Sequence, residues 1–242
     1  MNKPDRAPDG APCAPDGEDD DAPDSAVNVT MRRLTQLVLD GGVPREYSKR
    51  ALHLSEADLT DRQLAGAVLA DADLSAATLV RAVLSGAGLR GADLGGADLT
   101  RADLTGADLN DVYAHAAIFE DAVLRDASAR RADLVASHGA RADLSGADLT
   151  GADLEAADLS HARLRGAVLT DADCRRAGFE GADLTGALLP DLSRLRGAIW
   201  TRETVWPAGV ADRVAAVSQE AARGRFRILA LPPDRAAARV NP

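Results

Sequence analysis

The sequence predicts an all-β solenoid, a chain that turns a corner every five residues and stacks its turns into a rod. Three observations predict it. Between Leu52 and Asp191 the word Ala-Asp-Leu occurs twelve times, always in one phase. The 140 residues of that stretch divide into 28 fives without insertion or deletion. Apolar residues fall at the first and third places of each five, which suits neither the helical period nor simple strand alternation. A chain that bends every five residues and points a small Ala and a larger Leu inward satisfies all three, and a fixed repeat fixes the stacking geometry.

The word is cleanest in Ala92-Asp93-Leu94-Gly95-Gly96, Ala97-Asp98-Leu99-Thr100-Arg101, Ala102-Asp103-Leu104-Thr105-Gly106 and Ala107-Asp108-Leu109-Asn110-Asp111. These residues resemble the pentapeptide-repeat family, and the resemblance covers residues 52–191. It implies a right-handed, four-sided parallel β-helix with four fives to each coil, hence about seven coils, to which the flanking residues add short helical caps. Known members include topoisomerase-binding proteins and effector modules, so the resemblance specifies fold better than function. With residues twenty apart stacked, the column Leu64, Leu84, Leu104, Leu124, Leu144, Leu164, Leu184 is all leucine. Coils about 4.8 Å apart make a rod of roughly 34 Å. Each buried leucine contributes on the order of 1.5–3 kcal/mol, spread coil by coil as in other solenoids.

Residues 1–29 read as a disordered acidic tail, because the first 26 hold eight acids against Lys3 and Arg6, with five prolines and almost nothing to bury. Residues 30–51 read as an N-terminal helical cap: Met31, Leu34, Leu37 and Val38 share one helical face before Gly41 and Gly42, and the open end of a β-helix needs covering. Arg62, at an inward place, suggests a first coil that is not yet regular. Residues 52–191 are the β-helix. Within it the word weakens from 112 to 141, where Val112 and Ser137 replace the inward Ala, and Ala114, Ala129 and Gly139 the central Leu. The column Leu99, Phe119, Gly139, Leu159 reads as a volume swap that keeps the core filled. Tyr113, His115, Arg130, Arg131 and His138 face outward in the same coils, either as a binding patch or as drift of the repeat.

Residues 192–231 form a C-terminal cap. One more word follows at Ala198-Ile199-Trp200, shifted by a residue. Pro207 starts a helix whose stripe is Val210, Val214, Val217 and Ala221, and Phe226-Arg227-Ile228-Leu229 reads as a short strand. Trp200 and Trp206, all the tryptophan in the chain, cover the last coil or, with Val210, Val214 and Val217, form a dimer contact, as topoisomerase-binding relatives imply for a C-terminal helix. Residues 232–242 are a loose basic tail.

Charge is the functional clue. Residues 52–191 carry 24 acids and 12 bases, whereas residues 192–242 carry 4 acids and 9 bases. One side of the rod stacks Asp73, Asp93, Asp133, Asp153 and Asp173, interrupted at Tyr113, with Glu155 beside it. Carboxylates one coil apart repel by about 0.9 kcal/mol even at the dielectric of water. Such a ladder attracts proteins that bind nucleic acid and repels nucleic acid itself. The alternative is that these short side chains hold the turn backbone, since Asp occurs on all four sides.

The four histidines lack metal-site spacing, no phosphate-binding loop is present, and no catalytic arrangement stands apart from the repeat, so the expectation is a non-enzyme without metal or cofactor. Cys13 falls in the tail and Cys174 at a central, inward place, so no disulfide is expected. No apolar run is long enough for a membrane span and no secretory signal is present, which makes the cytoplasm the expected location. Arg-rich, Ala-rich usage fits a GC-rich bacterial genome. The reading is a protein-binding solenoid. The resemblance implies a DNA mimic that modulates or protects DNA gyrase, with fluoroquinolone resistance as the outcome, and a homodimer through the C-terminal helix. The alternative is a rigid adaptor for an unidentified protein.

Overall fold

The computed structural model describes residues 52–229. The expected tail at 1–29, the helical cap at 30–51, Cys13 and the tail at 232–242 lie outside the described residues. From Leu52 to Leu189 every five repeats one local conformation. The second residue bridges in parallel to the residue twenty positions on, from His53↔Asp73 through Val168↔Leu188. An offset of twenty is four fives, so the chain is a four-sided parallel β-helix whose sides are too short to count as more than isolated bridges.

Each side is held by a recurrent set of bonds. The central residue donates its N–H to the carbonyl nineteen positions on, as Leu74 N does to Asp93 O at 2.7 Å. The second residue donates to the coil behind, as Asp93 N does to Ala72 O at 2.9 Å. The corner closes when the next inward Ala donates back three residues, as Ala97 N does to Leu94 O at 2.9 Å. That corner requires the fifth residue of every word to have φ between 55° and 71°. Twenty-seven positions from Glu56 to Gly186 do so, and seventeen of them are not glycine. The left-handed region costs a residue with a Cβ about 1–2 kcal/mol, so the corners store strain that the core must offset.

The core is the two inward places. Leu74, Leu79, Leu84, Leu89, Leu94, Leu99 and Leu104 are wholly buried, as are the inward alanines between them. Arg62 proves exposed while its backbone keeps the regular pattern, its carbonyl accepting from Val83 N, so the first coil is regular. The expected volume swap is incomplete. An internal cavity of about 30 Å³ lies where the word drifts, lined by Phe119, Ala129, Leu134, Ser137, Gly139 and Leu144 among others. A Cβ at Gly139 would meet Leu159 Cδ2 at 3.1 Å, so Gly139 makes room for Leu159 rather than for Phe119.

Past Leu189 the phase breaks at a 3-10 turn, Leu192–Leu195, and the coil is completed out of step: Ile199 bridges Gly178 and Val205 bridges Asp183. The cap then comprises strand β1 (Ile199–Thr201), helix α1 (Ala211–Ala216), β2 (Ser218–Ala222) and β3 (Arg225–Ile228), with sheet order β1-β3-β2, antiparallel throughout. The expected helical stripe therefore ends early. Ala221 lies in β2, because pairing with β3 takes the backbone that would have continued the helix. Val214 is fully buried, and Val210 and Val217 pack against the core. Trp206 lies between Phe179 and Trp200, each ring centroid 6.1 Å away, and Trp200 stacks on Phe226 at 4.8 Å. Both tryptophans thus sit on the last coil.

Candidate functional site: an acidic side without arginine

Every aspartate at the second place does the same local job. All thirteen, from Asp58 to Asp183, accept the backbone N–H two residues on, at 2.8–3.1 Å. Where the fourth place is Ser or Thr its hydroxyl often adds a second bond, as in Asp73–Ser75 at 2.7 Å and Asp103–Thr105 at 2.6 Å. The carboxylate satisfies a corner N–H that the bridges leave without a partner, which explains why Asp recurs there. Ladder members Asp73, Asp93, Asp133, Asp153 and Asp173 all do this through Oδ1, so their first role is structural.

Their side of the rod nevertheless differs from the other three. Taking each side as its second place and the corner that follows, the Asp73 side holds seven acids and two arginines, and the arginines, Arg175 and Arg176, occur only at its C-terminal end. From His53 to Ala156 it has none. The Asp98 side has seven acids and three arginines, the Asp103 side four and three, the Asp108 side six and three. On those sides the arginines neutralise acids at close range. Arg81 pairs with Asp61 at 2.6 Å, Arg131 with Asp111 at 2.7 Å, Arg141 with Glu120 at 2.6 Å and Asp121 at 2.8 Å, and Arg125 with Asp143 at 2.6 Å. Asp93, Asp133 and Asp153 have no ion-pair partner among the described residues, and Asp73 has only the exposed His53 at 3.9 Å.

Tyr113 interrupts this ladder between Asp93 and Asp133, with its side chain outward and 61% exposed. Glu155 is not free: Arg175, at 3.1 Å, and Arg176 both donate to it. Asp173 is held by Arg175; burial acts to raise its pKa, but the hydrogen bonds and charge of Arg175 prevail and lower it. Asp143, on the Asp103 side, is the most buried carboxylate among the described residues. Burial is the largest influence on it and pushes its pKa up, yet the Ser145 hydroxyl, Arg125 and the Ser145 amide together hold it below the usual carboxylate range.

Sequence reasoning missed a second feature. An open groove at the cap end brings together Arg175, Arg176, Arg196 and Arg227 beside Ile199 and Ile228. The excess of bases in residues 192–242 was its only signal. The candidate dimer residues Trp200, Trp206, Val210, Val214 and Val217 are occupied in packing the cap, which leaves the helix without an apolar stripe for a partner. Among the described residues no group of three His, Cys, Asp or Glu side chains is placed to hold a metal ion, and no helix is long and apolar enough to cross a membrane. Cys174 is buried, and burial pushes its thiol up to about 12.

Several known proteins are similar to this chain. HetL, a pentapeptide repeat protein involved in heterocyst differentiation regulation from Nostoc sp. strain PCC 7120, is 32% identical over 63% of this chain and 78% of its own, with a TM-score of 0.34. Rfr23, a pentapeptide repeat protein from Cyanothece 51142, is 31% identical over 43% of this chain and 63% of its own, with a TM-score of 0.27. QnrB1, a plasmid-mediated fluoroquinolone resistance protein, is 22% identical over 58% of this chain and 84% of its own, with a TM-score of 0.34. No curated protein matches the chain. The family described as pentapeptide repeats matches eight copies within residues 53–91, 77–113, 117–155 and 147–186. With more than half of its length so matched, and with four fives in every coil, the chain belongs to the pentapeptide-repeat family.

Proposed function

We propose that the chain is a non-enzymatic protein-binding rod that offers the acidic side that lacks arginine from His53 to Ala156 to a basic, DNA-binding surface, and that its target is DNA gyrase or another type II topoisomerase, where it stands in for duplex DNA. One observation carries this reading. Over the coils from His53 to Ala156 one side keeps Asp73, Asp93, Asp133 and Asp153 with no arginine among them, whereas each of the other sides carries arginines that pair with some of its acids, among them Asp61, Asp111, Asp121 and Asp143. Five carboxylates on that side without an arginine partner among the described residues, counting Glu56, spread over about five coil spacings, or roughly one per 5 Å. A DNA strand places one phosphate per about 3.4 Å. Sign and spacing are therefore those of a diluted strand, on a scaffold too stiff to collapse around its partner. Gyrase is chosen as first target because the family includes topoisomerase-binding members.

A supercoiling assay with the full-length protein titrated in, with and without a fluoroquinolone and at two salt concentrations, tests the reading. Inhibition or drug protection at micromolar protein, weakening as salt screens the carboxylates, is the expected result. A flat response at both salt concentrations overturns the choice of target.

A rigid adaptor is the second reading, and the arginine groove at the cap end favours it. A partner held there leaves the acidic side without effect on binding.

A further inference from the structure

Positive charge gathers at one end of this molecule. The groove at the cap has a volume of about 710 Å³ and opens to solvent between the last corner of the acidic side and β3. It already captures one carboxylate, since Glu155 accepts hydrogen bonds from both Arg175 and Arg176. Arg196 and Arg227 are exposed and have no ion-pair partner among the described residues, although most arginines of the rod are paired. Guanidinium groups beside an apolar strip suit carboxylates carried on an extended peptide.

The chain itself carries such a peptide. Asp16, Glu18, Asp19, Asp20, Asp21 and Asp24 put six acids into nine residues with no base among them. The rod repels this segment along its length, because residues 52–191 hold twice as many acids as bases, whereas the cap end, with nine bases against four acids in residues 192–242, attracts it. We propose that residues 16–24 of the same molecule occupy the arginine groove and cover it.

The reach is sufficient. The groove lies about seven coil spacings from Leu52, or roughly 34 Å. Fully extended, the chain from Asp24 to Leu52 spans up to about 90 Å. With Thr30 held at the first coil by the expected cap, the fourteen residues back to Asp16 still span about 48 Å. Tethering holds the acidic cluster at an effective concentration on the order of millimolar, so weak ion pairs suffice. Leu229, the last described residue, lines the groove, and the sequence after it carries Asp234 against Arg235 and Arg239. Once covered, the groove arginines no longer compete for nucleic acid.

The chain supplies its own probes. Cys13 lies three residues before the segment, and Trp200 and Trp206 lie in the cap, Trp200 directly after groove residue Ile199. Because Cys174 is buried, a maleimide acceptor dye goes to Cys13. Tryptophan-to-dye energy transfer is then measured on the full chain. The expected result is transfer at low salt that survives ten-fold dilution and falls about two-fold or more in roughly 0.5 M salt. It falls equally when Asp19, Asp20 and Asp21 become Asn, and when Arg196 and Arg227 become Ser. Both arginines are exposed, so unchanged circular dichroism melts confirm that the fold is intact. Transfer indifferent to salt, or lost with the tail variant but not with the arginine variant, overturns the proposal. Transfer lost on dilution also overturns it, by showing that the segment of a second copy is the occupant.

Discussion

The Asp93 carboxylate accepts the Gly95 amide at 2.8 Å through Oδ1, while Oδ2 has no partner among the described residues. One side chain thus does two jobs, closing a corner with one oxygen and presenting charge with the other. The two jobs separate by mutation. Changing Asp93, Asp133 and Asp153 to Asn keeps an acceptor for each corner and removes three charges; changing them to Ala removes both.

The first prediction concerns stability alone. The Ala triple variant loses about 1 kcal/mol per site from the missing corner bonds, whereas the Asn triple variant stays within about 0.5 kcal/mol per site. Thermal melts followed by circular dichroism distinguish the two. Equal losses would mean that the carboxylates are held by charge rather than by the corner.

Acid should unfold the rod. Asp58, Asp73, Asp143, Asp148 and Asp183 are all held below the ordinary carboxylate range by hydrogen bonds. A carboxyl more acidic in the folded than in the unfolded chain leaves the unfolded state binding more protons, so stability rises with pH through that interval. The stabilisation is complete above the unfolded value of about 4 and is lost as pH falls through the lower folded values. The melting temperature is therefore level from about pH 5 to 8 and drops towards pH 3. A rise on acidification would show that relief of the net negative charge outweighs the corner bonds.

The drift region offers a stabilising change. Ser137 occupies an inward alanine place, is 3% exposed, and lines the cavity. Its hydroxyl makes no hydrogen bond among the described residues. Ser137→Ala restores the word and removes a largely buried hydroxyl from the cavity wall, raising stability by about 1 kcal/mol, which is roughly 2–4 °C in melting temperature for a chain of this size. A lower melting temperature would show that a water molecule bridges the hydroxyl.

Corner strain is measurable from both directions. Ala76 and Ala116 both have φ of 55°, and replacing each by Gly stabilises by about 0.5–1 kcal/mol. The two lie about two coils apart, so the gains add. Gly96, at φ 65° and with nothing within 4 Å of the place a Cβ would take, gives the converse: Gly96→Ala costs about 1 kcal/mol through backbone conformation alone. Denaturant melts with unchanged slope check both.

Much of this architecture was legible because each five-residue word repeats the same environment. Phase alone placed Leu99 and Ala102 in the core and put Asp73, Asp93, Tyr113 and Asp133 in one column. The corners were less legible. A left-handed residue announces itself when it is Gly96, but Arg101, Asp111 and Ala116 adopt the same conformation because the bonds on either side impose it, whatever their own preference. In the cap the stripe through Val210, Val214 and Val217 continued to Ala221 by spacing, yet strand pairing with Arg225–Ile228 took that backbone, a contact that no local pattern reports. The charge asymmetry was half legible. Counting by side showed where arginine is scarce, but only the structure shows Arg81, Arg125, Arg131 and Arg141 pairing with acids of their own sides.

Comparing two triple variants in the same gyrase supercoiling assay tests the central claim most directly. One carries Asp93→Asn, Asp133→Asn and Asp153→Asn on the arginine-free side. The other carries Asp98→Asn, Asp108→Asn and Asp158→Asn on two neighbouring sides, where each aspartate makes the same corner bond. Both lose three charges. If the acidic side is the docking surface, the first variant loses inhibition or drug protection by about ten-fold or more and the second keeps it. Equal losses would show that only overall charge matters, and full activity in both would contradict the account.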